Sequence, residues 1–413
     1  MNMKYHTGKC ALILLSGGIL LSACLGGNGT PAAPGMSTPV LNTMAVSVDS
    51  GPAAAAGQIN HAYVTVKICA PATQQCASID HVLLDTGSVG FRVVRSVLVA
   101  SGVALTPATD AQGKTVEECV HLAGGDIWGP VATADVELAG ERAAKLPVQI
   151  MDDTGVDAPP PATCGANAPL NNGVGGFGAN GLLGVGVLTQ DCGAACVSPN
   201  SALPFYYGCA ATGVCTAENA ALTAQVTNPV TMFASDNNGI IVNLPNLQNP
   251  NGDTSLSGEL IFGLGTQSDN AVPATGLTVL GTDGNGNFDT TYNGGSTALK
   301  ATIDSGTDSY SFNDPTIAAC SSGFFNGYYC PAVAPMSVFA TNTGVGVNNA
   351  SGTVNFAIAD PNSFVTTAAA FAGLASGGTT NFIWGMPFFY GRTIYIGIDQ
   401  RTMGSRVGPF FAY

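Results

Sequence analysis

From Val46 onward, short apolar and β-branched runs are divided by turns rich in Gly, Asn and Asp. The spacing predicts strands over 61–68, 82–85, 91–94, 134–138, 239–244, 259–262, 277–280, 298–303 and 392–398. Helical stretches are few, with 218–225 and 315–320 the two candidates. The segment from 152 to 216 is rich in Cys, Pro and Gly and predicts a decorated loop region rather than core. No internal repeat of about 20–50 residues organises the chain. These elements predict an all-β fold with few short helices.

Composition sharpens that picture. Charged residues are 9% of the 413 positions, hydrophobic residues 46%, and Gly (54) and Pro (24) are abundant. An average soluble chain carries about 25% charged residues, and helical bundles are built from A/E/K/L/R, so a buried, turn-rich β protein is implied. The apolar fraction argues against disorder, and the length argues for two lobes rather than one. The net charge of −14 makes nucleic acid and anionic lipid surfaces poor partners.

The N-terminus reads as an export signal. Lys4 and Lys9 precede a short apolar run, 11–23, that ends Leu21-Ser22-Ala23-Cys24. The run is shorter than the ~20 residues a transmembrane helix needs. Its end resembles a bacterial lipobox, which implies lipidation of Cys24 and anchoring at the cell envelope. Leu25 resembles the following residue of lipoproteins sent to the outer membrane, on its periplasmic face or at the cell surface. Residues 25–45 read as a Gly/Pro/Ser tether. Ten further cysteines in an exported chain imply disulfides. Close pairs suggest Cys69 with Cys76, Cys192 with Cys196, Cys209 with Cys215 and Cys320 with Cys330, leaving Cys119 and Cys164 for each other. No pair has zinc-knuckle spacing, so no metal is expected.

Two copies of one motif carry the chemistry. Residues 82–91 read Val-Leu-Leu-Asp85-Thr86-Gly87-Ser88-Val-Gly-Phe, and 301–310 read Ala-Thr-Ile-Asp304-Ser305-Gly306-Thr307-Asp-Ser-Tyr. A single copy would be an Asx-turn after a strand. Two copies about a domain apart let one carboxyl from each lobe meet at an interface. Carboxyls within ~3 Å cannot both ionise and share a proton, which suits one to act as base and the other as acid on a single water. Gly87 and Gly306 let the backbone pass close. The hydroxyls of Ser88 and Thr307 can bond the outer carboxylate oxygens, and those of Thr86 and Ser305 can cross to the opposite loop.

On these residues the chain resembles a pepsin-like, two-lobed aspartic peptidase. Gly181-Leu-Leu-Gly184 and Phe382-Ile-Trp-Gly385 resemble the segments that thread behind the two catalytic loops. The strand 258–263 and the tail 395–410 resemble the strands that close the family's lobes. The resemblance runs from about 46 to 413. It implies an N-terminal lobe at 46–268 with a Cys-rich insertion and a C-terminal lobe at 269–413, catalytic Asp85 and Asp304, no cofactor, a polypeptide substrate and a monomer. The family's flap carries a tyrosine; here the stretch His121-Leu122-Ala123-Gly124-Gly125-Asp126-Ile127-Trp128 puts Leu122 in that place, with His121 or Trp128 as substitutes if the register shifts. No basic propeptide follows Cys24, so the usual zymogen control is not expected.

Other motifs are weaker. Gly173-Val-Gly175-Gly-Phe-Gly178 fits a dinucleotide pattern but follows a loop, with no helix expected there. The run 283–289 resembles half a calcium loop, yet Phe288 stands where Gly is needed, so a solvated turn is expected. Two functional classes remain: an aspartic endopeptidase, and a catalytically silent pepsin-fold protein that binds peptide or glycan in its cleft.

Overall fold

The computed structural model describes residues 41–165, 169–198, 204–321 and 323–413. The expected leader, Cys24 and most of the tether lie outside these described residues.

Among the described residues the regular structure is mostly strand, as the apolar spacing implies. In Ala62–Cys69, Val64, Val66 and Ile68 are buried while Thr65 and Lys67 face outward, the period of two that a sheet with one wet face requires. This strand pairs antiparallel with Cys76–Asp85, and the disulfide Cys69–Cys76 closes their hairpin. Among the described residues the strands form a 15-stranded and a 7-stranded sheet plus one small ribbon. The larger sheet holds the strands from Thr43–Val48 to Leu256–Phe262, and Val279–Gly281, Arg392–Gly397 and Phe410–Ala412 also pair into it. The C-terminal strands thus return to the sheet built by the strands up to Leu256–Phe262. Arg392–Gly397 lies antiparallel to Gly239–Leu244.

One local arrangement occurs twice. Strand Cys76–Asp85 runs parallel to Gly181–Val185, which in turn pairs antiparallel with Val89–Val94. In the smaller sheet, Ala298–Ile303 runs parallel to Phe382–Trp384, which pairs antiparallel with Tyr310–Ser311. Each motif strand therefore leaves its sheet, turns, and re-enters on the other side of a threading strand. The glycines of those strands make the passage possible. A Cβ on Gly184 would meet the Val89 backbone, and one on Gly385 would meet the carbonyl of Thr307. This doubled threading is the pepsin-like, all-β arrangement that the two motifs imply.

The smaller sheet is packed with aromatics. Phe312 stacks on Phe382 at 5.0 Å between centroids, and Trp384 packs on Phe356, Phe382 and Phe388. Each such buried side chain contributes about 1.5–3 kcal/mol. Trp384 Nε1 donates to Asn342 Oδ1 at 3.0 Å, so its polar atom is satisfied inside the core.

Four local expectations are corrected. The stretch 218–225 yields only the one-turn 3-10 helix Leu222–Ala224, and 315–320 forms turns. The α-helix Arg95–Ala100 was not expected; Ser101 donates its backbone N–H to Val97 and Gly102 to Val99, closing its end. Within 152–216, Gly181–Val185 is a fully buried core strand, because its Leu182, Leu183 and Val185 sit between two neighbours. A single helical turn, Val174–Phe177, does follow Gly173, and Gly178 ends it at φ 76°. Among the described residues no strand leads into it, so the dinucleotide geometry is missing. Asp283 instead behaves as expected, its Oδ1 accepting from the N–H groups of Asn285 and Asn287 at 3.0 Å each to make a turn.

Candidate active site

Strand Cys76–Asp85 ends on Asp85, and Ala298–Ile303 ends one residue before Asp304. The two loops fold alike. Asp85 Oδ1 accepts from the Gly87 N–H at 2.7 Å and the Ser88 N–H at 3.1 Å, and Oδ2 accepts from Ser88 Oγ at 2.5 Å. Asp304 Oδ1 accepts from the Gly306 N–H at 2.8 Å, and Oδ2 from Thr307 Oγ1 at 2.7 Å. An aspartate that bonds the backbone two residues on is the local reason each strand stops and turns here.

The loops are then tied to one another. Thr86 Oγ1 donates to the Ile303 carbonyl at 2.8 Å and accepts from the Ser305 N–H at 3.0 Å. Reciprocally, Ser305 Oγ donates to the Leu84 carbonyl at 2.7 Å and accepts from the Thr86 N–H at 3.2 Å. Both residues are buried, so these bonds are shielded from water and hold the loops at a set distance. The glycines make the approach possible. A Cβ on Gly87 would fall on the Asp304 carboxyl, and one on Gly306 would lie 2.7 Å from Asp85 Cγ.

The two carboxyls face one another, each against the glycine of the opposite loop. Burial, and then the charge of Asp304, push the Asp85 carboxyl well above the usual carboxylate range, while bonds from Ser88 and Gly87 pull against them. The pair therefore retains a proton that an isolated, solvated carboxyl would lose.

Both carboxyls open into a cleft of about 540 Å³. Its roof is the hairpin of Thr115–Leu122 and Gly125–Leu138, with Leu122 opposite Gly125 and Ala123-Gly124 at the tip. His121, Leu122 and Gly125 line the cleft. Trp128 does not. It is buried against Cys119, Cys164 and Tyr207, and its Nε1 donates to the Ala158 carbonyl at 2.8 Å. The register shift that would have made Trp128 a flap residue is thereby excluded. His121 Nδ1 bonds Asp126 Oδ1 at 2.9 Å.

The ten cysteines close as the five pairs named above. Cys119, His121 and Asp126 are the one group with metal-ligand proximity among the described residues. Cys119 is bonded to Cys164, which removes its thiolate, and the other two already bond each other.

One supporting network escaped the sequence reading. Arg92, on strand Val89–Val94 just past the first loop, is fully buried. Its Nη2 donates to Glu118 Oε1 at 2.8 Å and Asp191 Oδ2 at 3.0 Å, its Nε to Gln149 Oε1 at 3.0 Å, and its Nη1 to the Val89 carbonyl at 2.6 Å. Tyr206 adds a hydrogen bond to Asp191 Oδ1 at 2.8 Å. Burial, and then the charge of Glu118, raise the Asp191 carboxyl well above its ordinary range, which lets it keep a proton beside the single guanidinium. The network joins the first loop's strand, the flap strand and the Cys-rich insertion. Its only trace in the sequence is a cation inside an apolar run.

Beside it, Glu117 is buried with Oε2 unpartnered, and burial followed by the charge of Asp157 pushes it up to about 8. Its folded form holds the proton more tightly than the unfolded chain does. Its contribution to stability is therefore full below about pH 4.5 and is lost as pH rises through about 8. Glu117→Gln should flatten the stability profile between about pH 5 and about pH 8, by a few kcal/mol in urea melts. An unchanged slope would refute that assignment.

No curated protein matches the chain. Among solved structures it is similar to the aspartic proteinase from Irpex lacteus, at 15% identity and a TM-score of 0.49, over 90% of this chain and 96% of that one. A likeness of that size carries no weight for what the chain does. A family model matches residues 38–413, and the chain accordingly belongs to the family described as a protein of unknown function, DUF3443.

Proposed function

We propose that the chain is an aspartic endopeptidase that hydrolyses peptide bonds with a water activated between Asp85 and Asp304. The observation that supports this most is the pair itself. Two carboxyls from separate loops face one another, each cradled by one glycine N–H and one hydroxyl, at the floor of an open cleft.

The chemistry follows from one shared proton. The ionised carboxylate takes a proton from water as the water oxygen attacks the peptide carbonyl carbon. The protonated carboxyl gives its proton to the carbonyl oxygen, forming a neutral diol. On collapse the C–N bond breaks, the leaving nitrogen takes the proton first removed from water, and a diol O–H returns its proton to the other carboxyl. One proton again rests on the pair. Thr86 and Ser305 hold the spacing, and the flap closes over the substrate and excludes water.

A second reading is a silent pepsin-fold protein that binds peptide or glycan, and Leu122 in place of a flap tyrosine favours it. Digestion of a peptide library from acidic to neutral pH, with and without a statine inhibitor, separates the two. Statine-sensitive cleavage supports the enzyme; binding without cleavage supports the silent fold.

We also place the protein at the cell envelope, anchored through Cys24, and five disulfides suit an oxidising compartment. Palmitate labelling of the full chain should be lost in Cys24→Ala. Equal labelling of both forms would refute the anchor.

A further inference from the structure

The walls of the cleft differ in chemistry. Beneath the flap Leu83, Leu122, Ile127, Phe177 and Leu182 make it largely apolar, with Asn171 beside the flap tip. Beyond the second aspartate loop it is lined by Thr307, Asp308, Ser309, Ser311 and Ser376.

The three serines form a closed ring. Ser309 Oγ lies 3.3 Å from Ser311 Oγ and 2.9 Å from Ser376 Oγ, and the latter two are 2.8 Å apart. Three hydroxyls have three protons, and three mutual bonds consume them all. What the ring presents outward is its remaining lone pairs. Asp308 adds a carboxylate. Its Oδ2 accepts from Tyr328 Oη at 2.5 Å, and its backbone carbonyl is held by Asn60 Nδ2 at 2.7 Å. Tyr328 lies in the loop closed by Cys320–Cys330, whose backbone bonds Cys320 to Tyr328 at 2.7 Å and bridges Tyr328 to Ser376. The disulfide loop thus braces this wall from behind.

Among the described residues no lysine or arginine lines the cleft, and none forms an ion pair with Asp308. The wall offers acceptors and negative charge with few donors in return. A lysine ammonium (three donors) or an arginine guanidinium (five) is the side chain that satisfies it.

We infer that this wall is a cation-selecting subsite, with Asp308 its specificity-determining carboxylate. The substrates are then polypeptides with Lys or Arg on one side of the scissile bond and a bulky apolar residue on the other. The inference rests on the peptidase reading of the same cleft.

The test compares two peptides that differ only by Lys or Leu at the selected position, found from cleavage sites in a peptide library. Wild type should prefer the Lys peptide in kcat/KM, and in Asp308→Asn the Lys-to-Leu ratio should fall by about 10–100-fold, the scale of a charge-assisted hydrogen bond. Asp308→Glu should restore part of that ratio, which a merely structural role would not do. A ratio that is the same in wild type and Asp308→Asn overturns the subsite. If wild type cleaves neither peptide, fluorescence anisotropy of the labelled peptides decides separately. A Lys preference in binding that Asp308→Asn removes keeps the subsite while the peptidase reading fails; equal binding of both peptides overturns the subsite too.

Discussion

Asp85→Asn and Asp304→Asn should each reduce peptide cleavage by about three to four orders of magnitude or more, because either change removes one half of a paired acid–base step. An isolated carboxyl at the remaining position has no partner with which to share a proton. The fold should survive both changes. Asp85 holds its proton more tightly folded than unfolded, for reasons of burial and then of Asp304. Its contribution to stability is present at low pH and lost as pH rises from the ordinary carboxylate range through its raised folded value. Asn in its place cannot ionise, so at neutral pH Asp85→Asn should be at least as stable as wild type. Thermal melts beside the cleavage assay then separate lost chemistry from lost structure. The wild-type rate should peak in acid and fall as the pair loses its shared proton, with apparent pKa values that belong to the pair. Full activity in either variant would end the dyad mechanism.

Arg92→Met should cost about 3–5 kcal/mol of stability, the largest effect expected of a single change away from the dyad. Removing the guanidinium leaves Glu118 and Asp191 facing one another in a site closed to solvent, 0% and 3% exposed at their side chains. The loss is an uncompensated burial of charge, not merely a missing contact. Adding Glu118→Gln and Asp191→Asn to Arg92→Met should therefore recover part of the stability, since neutral amides tolerate burial better than a lone carboxylate. Urea unfolding of the single and triple variants checks this, and a triple variant less stable than Arg92→Met would contradict it. Because Arg92 also bonds the Val89 carbonyl, next to Ser88, the single variant should lose activity before it unfolds.

Much of the site was legible because its chemistry is local. Asp-Thr-Gly-Ser and Asp-Ser-Gly-Thr each encode a strand end, an Asx-type turn and a cradle for the carboxylate within four residues, and the same bonds form in both loops. Strand existence was legible for the same reason, since alternation in 62–69 depends only on one buried face. The apolar continuity of Gly181–Val185 was harder to interpret, because its surroundings are Cys- and Pro-rich and only pairing on both sides shows it to be core.

What the sequence by itself determined, then, is the all-β class, the pair of Asp loops and cysteine pairings dominated by short separations, all set by neighbours along the chain. The tertiary structure alone decided the rest. It turned Trp128 away from the cleft and left His121 and Leu122 at its edge, because the register of a hairpin is chosen by everything packed behind it. It also gathered Arg92, Glu118 and Asp191 into one buried cluster, and Ser309, Ser311 and Ser376 into one ring. Such contacts join residues up to about a hundred positions apart, and no local spacing rule encodes which distant side chains will share a desolvated space.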